Sequence, residues 1–166
     1  MSTRATISAE VPDWTREKPR GFWDPGPKLL RTIRGYQRWR RRTGPVAYLV
    51  CKMYVFRHRA WSAITGSDIP LNCQIGGGLL LPHPNGIVIH PEAKVGVNCL
   101  IFHQVTIGVR NRKGLPIIGG HVDIGAGAKI LGPITIGDHA AIGANAVITK
   151  DVGEGETVIG HNSRTT

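Results

Sequence analysis

From Ile69 onward the chain places an aliphatic residue at every sixth position: Ile69, Ile75 and Leu81, then Ile89, Val95, Ile101 and Ile107, then Ile118, Ile124, Ile130, Ile136, Ile142 and Ile148. Four positions after many of these stands a small or aliphatic residue, as at Cys73, Leu79, Cys99, Val105, Ala128, Ile134, Ala140, Ala146 and Val152, and glycine often follows directly. A helix repeats every ~3.6 residues and an ordinary strand every ~2, so neither accounts for a period of six. Short strands wound into flat-faced coils do. The first and fifth positions of each hexapeptide then point inward, three faces make a coil of about 18 residues, and coils stack at the ~4.8 Å spacing of paired strands. The predicted fold is mainly β, a parallel β-helix over residues 66–166.

The period breaks twice, with two extra residues within His83–Gly86 and five within Arg110–Pro116. Insertions in a solenoid emerge as loops, and loops on a rigid scaffold collect chemistry. His83 is the third residue of its repeat, and His103 is the third of its own, 20 positions later, which is one coil plus the insertion. The two are expected to stack at one corner. His121 and His139, 18 apart at fourth positions, are expected to stack at another. Cys73 and Cys99 fall on inward positions and read as small core residues, not as ligands or nucleophiles. No close pair of histidines stands near His83 or His103, so no metal site is expected. A histidine at a corner is ordinarily just solvated; the insertion beside His83, with Asp68 one face away, points instead to a catalytic pair.

Upstream, residues 1–27 carry Pro12, Pro19, Pro25 and Pro27 among scattered charges, which predicts an extended arm lying on something through Trp14, Phe22 and Trp23. Residues 28–65 read as an α-helical segment. Leu29, Ile33 and Tyr36 recur at helical spacing up to Arg42, Gly44-Pro45 stops that helix, and a second follows from Val46 to Ile64. Trp39 and Trp61 are expected as core anchors. A solenoid has open ends, so this segment is expected to cap the first coil.

Composition sharpens the division. The chain has 166 residues, 41% hydrophobic and 19% charged, which excludes disorder throughout. Its net charge of +10 resides entirely in residues 1–65, where 14 Lys and Arg face 4 acids, against 7 and 7 in the remainder. Such an arginine-rich surface can touch nucleic acid, anionic lipid or an acidic partner, but a solvated helix face, or charge placed to meet cofactor phosphates, is the favoured reading. No nucleic-acid motif accompanies the charge, so no nucleic acid partner is expected, whereas peripheral membrane contact through the basic helices stays open. The longest mostly apolar stretch, Val46–Phe56, is interrupted by Lys52 and falls short of the ~20 residues of a membrane span. Three cysteines and no leader-like start give a reduced, cytoplasmic protein as the expectation.

The stretch from Asp68 to His83, then Gly86-Ile-Val88, Val105-Thr-Ile-Gly108 and Ile124 to Gly132, resembles the C-terminal half of bacterial serine acetyltransferases, with the same Asp-to-His interval. Short acetyltransferases of exopolysaccharide synthesis, such as the colanic-acid types, are similar in size and share a histidine at the position of His103. The resemblance implies a left-handed parallel β-helix, a homotrimer, and acetyl-CoA as a co-substrate bound in a groove between subunits, with no tightly bound cofactor. Carried onto this chain, His83 matches the general base and Asp68 the carboxylate that orients it. Ala126, Ala144, Thr149, Lys150 and Arg164 match positions along the CoA path. His103 falls to the acceptor or to a supporting role. Imidazole near pKa ~6.5 suits removal of a proton from an alcohol attacking a thioester.

Three positions depart from the amino-acid enzymes. The aspartate before the catalytic histidine is Pro82, and the Arg-His pair of the loop falls on Gly114-Leu115. Arg110, Arg112 and Lys113 on the same loop are the cations that could stand in. A zwitterionic amino acid needs a carboxylate for its ammonium and a cation for its carboxylate. The expected activity is therefore acetyl-CoA-dependent O-acetyl transfer to a hydroxyl, with a sugar or exopolysaccharide favoured over L-serine. A true serine O-acetyltransferase and a non-catalytic solenoid that docks on a partner are the alternatives.

Overall fold

The computed structural model describes residues 7–111 and 114–162. The first-position aliphatics from Ile69 to Ile148 and the fifth-position residues from Cys73 to Val152 are all buried and form one continuous cluster. Each strand is two or three residues long, one residue facing out and the next facing in. Strands from successive coils pair in parallel and in register, so the chain winds a three-faced, left-handed parallel β-helix. On the first face Asp68 bridges to Val88, followed by Thr106, Lys129, Val147 and His161. The second stacks Gln74, Lys94, Ile117 and Thr135, and the third Leu80, Leu100, Asp123, Ala141 and Thr157.

The corners turn through a residue in the left-handed region. Between the second and third faces this is Gly78, Asn98, His121, His139 and Gly155, with φ from 51° to 79°. A side chain there costs roughly 1 kcal/mol or more, which favours glycine, as at Gly78 and Gly155; Asn98, His121 and His139 bear that cost.

Two helices close the first coil. Helix α1, Pro25–Trp39, begins three residues before Lys28, because Pro25 and Pro27 occupy the first turn, where a missing N–H costs nothing. Its Leu29, Leu30 and Ile33 are at most 1% exposed and join the solenoid core, each contributing about 1.5–3 kcal/mol of apolar burial. Helix α2, Pro45–Thr65, ends at Gly66 with φ 63° and buries only Ala47 and Thr65. Trp61 packs against the core cluster; Trp39 does not, and instead lies under the guanidinium of Arg42 at 4.4 Å. Among the described residues no helix is long and apolar enough to cross a membrane.

The arm is not extended throughout: Trp14–Glu17 form a single 3-10 turn whose first N–H groups are capped by Asp13. It lies along the corner between the second and third faces. The side chain of Asn98 accepts from Asp13 N at 2.7 Å and donates to the carbonyls of Ser8 and Val11 at 2.7 Å each. Glu17 accepts from Gly78 N and pairs with Arg34 at 2.8 Å. Gly120 has no room for a side chain, since a Cβ would stand 1.8 Å from the Ala9 carbonyl oxygen. Of the three arm aromatics Trp14 lies on the coils against Gly77, Trp23 meets Trp61 of α2 and borders the coil at Pro82–Asn85, and Phe22 remains 92% exposed.

Candidate active site

The corner between the third and first faces brings together four of the predicted residues, His83, His103, Ala126 and Ala144. The rings of His83 and His103 meet edge to face with centroids 6.3 Å apart. One coil further on, Gly127 N donates to the His103 carbonyl at 2.9 Å, and in the next coil Asn145 N donates to the Ala126 carbonyl at 2.7 Å. His83, His103, Ala126 and Ala144 therefore form a single column parallel to the solenoid axis. Residues 84–86 are tied to the coil below by Ser67 Oγ donating to the Pro84 carbonyl and by Gly86 N donating to the Gly66 carbonyl at 3.0 Å. The insertion thus pushes His83 outward on a braced bulge. His83 is exposed, whereas His103 is half-buried and its Nδ1 lies within protein without a hydrogen-bond partner.

Asp68 and His83 do not form a ready-made hydrogen-bonded or ion pair among the described residues. Asp68 occupies an outward position of the first face, between buried Ser67 and Ile69, and its backbone pairs with Ile87 and Ile89. The two line different depressions. That of Asp68, about 300 Å³, runs beside Val88, His90 and Leu131, and that of His83, about 320 Å³, is walled by Trp23, Ile64 and Asn85. The physical reason is local: a side chain on a flat face points straight out from it, while the bulge carries His83 around the corner.

Thr149 and Lys150 follow the Val147–Ile148 strand and so occupy the next corner, one face away from the alanine column; Thr149 is buried and Lys150 exposed. Arg164 lies outside the described residues, as do Arg112 and Lys113, two of the three loop cations. Arg110 is described, and its Cβ lies against Gly132.

The remaining chemistry-bearing groups are accounted for. Burial pushes the Cys73 thiol up to about 12 and the Cys99 thiol up to about 11, so both are protonated at neutral pH. At the opposite corner His121 and His139 approach Nδ1 to Nδ1 at 2.8 Å, and desolvation together with its neighbour lowers the pKa of His121. Among the described residues no group of three or more potential ligands could hold a metal ion. The reading from sequence missed that the two alanines continue the histidine column. Adding the five-residue second insertion to one coil takes His103 to Ala126, and one further coil reaches Ala144. It also missed that Trp23 and Ile64, from the arm and α2, form a wall beside His83.

Comparison with known proteins places this geometry. The bacterial transferase hexapeptide family (six repeats) matches residues 116–150. A serine acetyltransferase of Helicobacter pylori is 41% identical over 105 residues, covering 61% of this chain and 61% of its own length. The soybean serine acetyltransferase solved with serine superposes with TM-score 0.70 at 33% identity over 84% of this chain and 56% of that one. A serine acetyltransferase solved with CoA gives TM-score 0.67 at 29% identity over 83% of this chain and 55% of that one. The chain thus spans about three-fifths of the length of the curated relative and just over half of these solved chains. In sequence and in fold its hexapeptide-repeat β-helix resembles that of serine acetyltransferases.

Proposed function

We propose that this protein is an acetyl-CoA-dependent O-acetyltransferase. The observation that carries the reading is the single column of His83, His103, Ala126 and Ala144. A pantetheine arm laid along Ala126 and Ala144, where small side chains let it approach the backbone, delivers its thioester toward the histidines. Lys150 and Arg164 are assigned to the CoA phosphates, and Thr149 to the same end of the ligand.

In the transfer step His83 takes the proton of the acceptor hydroxyl as its oxygen attacks the thioester carbonyl. The tetrahedral intermediate collapses with loss of the CoA thiolate, and the imidazolium returns the proton to that sulfur. A general base of this kind is worth on the order of 100- to 10,000-fold. Direct attack needs no acyl-enzyme, and the protonated, core-facing Cys73 and Cys99 agree with it. Asp68 is given the orienting role, holding the imidazole tautomer and balancing the imidazolium. In the free chain the two side chains are not hydrogen bonded, so this role requires the carboxylate to turn toward His83 with substrates in place. The active assembly is proposed to be a homotrimer, with the donor between subunits.

Two acceptors divide the supporting observations. The relatives' names and the complex with serine support L-serine. The second reading, a sugar hydroxyl, is favoured by Pro82 and by Gly114-Leu115, which place neither a carboxylate nor a cation where an amino acid needs them. Thiol release from acetyl-CoA, followed with L-serine and separately with nucleotide sugars and oligosaccharides, decides between them. Saturable turnover on serine at ordinary efficiency assigns serine, and turnover confined to sugars assigns a glycan. No transfer to either, with no CoA binding by calorimetry, overturns the enzymatic reading in favour of a docking solenoid.

A further inference from the structure

Helix α2 is held on one side only. Tyr54 lies over Gly35 of α1, His58 Nε2 donates to the Ile69 carbonyl at 2.9 Å, and Trp61 packs on the core. The other side carries Val46, Leu49, Met53 and Phe56, which are 65%, 65%, 45% and 75% exposed, followed by Ile64 at 51%. Their 3-4-3 spacing sets them in one stripe along the helix. At 100° per residue Lys52 and Arg59 fall along one edge of that stripe and Arg57 along the other; all three are exposed. The turn entering α2 adds exposed Arg40, Arg41 and Arg42. From Pro25 to Thr65 the chain has ten Lys and Arg and no carboxylate.

We propose that this face of α2, together with the arginines of the α1–α2 turn, docks on an anionic lipid bilayer. An apolar stripe edged by cations suits a helix lying in the plane of the interface, its aliphatic side chains among the acyl chains and its cations on lipid phosphates. Lys52 stacked on Tyr48 at 5.2 Å and Arg42 on Trp39 at 4.4 Å pair cations with aromatics suited to headgroup depth. A second copy fits poorly. Stripe against stripe would bring Lys52, Arg57 and Arg59 together with no carboxylate in the segment to meet them. Docking also carries the wall of the His83 depression, Trp23 and Ile64, toward the bilayer.

The test is flotation of the full chain with vesicles of phosphatidylcholine containing about a third phosphatidylserine, against phosphatidylcholine alone. Binding is expected to the anionic vesicles and to weaken steeply with salt. The double variant Leu49→Glu, Phe56→Glu is expected to bind at least ~10-fold more weakly, and so is the triple variant Arg40→Ser, Arg41→Ser, Arg42→Ser. All five positions are exposed, and an unchanged melting temperature verifies folding. Equal binding to both vesicle types, no binding, or undiminished binding by the folded variants overturns the proposal. So does a fall in oligomer mass on Leu49→Glu, Phe56→Glu, which would make the stripe an interface between copies. These readouts do not depend on acetyl transfer, so the docking and the enzymatic reading fail separately.

Discussion

The His103 ring stands edge-on to that of His83, centroids 6.3 Å apart at 78°, with its Nδ1 buried and unpartnered. A buried imidazole nitrogen without a partner costs about 1–3 kcal/mol, so such a group is retained where something else uses it. In the proposed reaction its use is to position His83 or the acceptor hydroxyl. His103→Gln, which keeps a hydrogen-bonding side chain of similar reach, is expected to lower kcat about tenfold and to shift the acidic limb of the pH–rate profile. Kinetics and pH profile identical to those of the parent would remove His103 from the site.

The thiols report whether transfer is direct. Cys73 and Cys99, at 2% and 0% exposure and pushed up to about 12 and 11, are expected to resist alkylation in the native protein, leaving Cys51 as the one reactive thiol. Mass spectrometry after iodoacetamide treatment at pH 8 should show one adduct. An acetylated Cys73 or Cys99 trapped during turnover would contradict direct attack.

His121 links stability to pH. Its folded pKa is lowered, chiefly by desolvation and further by His139, so below the ordinary histidine value the unfolded chain binds a proton that the folded one resists. Stability is therefore complete at pH 8 and falls as the pH drops through about 6.5 and below. His121→Asn suits the left-handed φ of 51°, the conformation Asn98 adopts one coil below. The variant is expected to lose less melting temperature between pH 8 and pH 5 than the parent does; an unchanged slope would assign the acid sensitivity elsewhere.

Asn98 fastens the arm. Its side chain is fully buried and serves Asp13 N and the carbonyls of Ser8 and Val11. Asn98→Ala strands these groups and places alanine at φ 58°, for a loss of about 2 kcal/mol or more. Urea unfolding should show the loss, and limited trypsinolysis should cut at Arg16 and Arg20 before the solenoid. Loss of stability with the arm still protected would mean that Asn98 serves the corner alone.

Much of this was written in the periodicity. Thirteen aliphatics from Ile69 to Ile148 keep phase through two insertions, and a phase-locked repeat determines which side chains face in, which stack, and hence that His83 meets His103 and His121 meets His139. What the repeat does not encode is side-chain direction at its interruptions. Asp68 and His83 are near in coil order, yet the bulge at 83–86 and the flat face at Asp68 aim them into separate depressions. The path of the arm was likewise hidden. Arg34 and Asn98 look like an ordinary helix cation and corner residue, and only their bonds to the Ile75 and Gly76 carbonyls and to Ser8 and Val11 reveal the clamp. Helix α2 had a legible apolar run, but which side of it would stay uncovered depended on where α1 and the first coil came to lie.

The most direct measurement is acetyl transfer by His83→Ala beside its affinity for CoA by calorimetry. The expected result is a fall in turnover on the order of 100- to 10,000-fold with CoA affinity unchanged, because His83 is exposed at the end of the column, beyond Ala126 and Ala144. Turnover within a few-fold of the parent would contradict the assignment of His83 as the base.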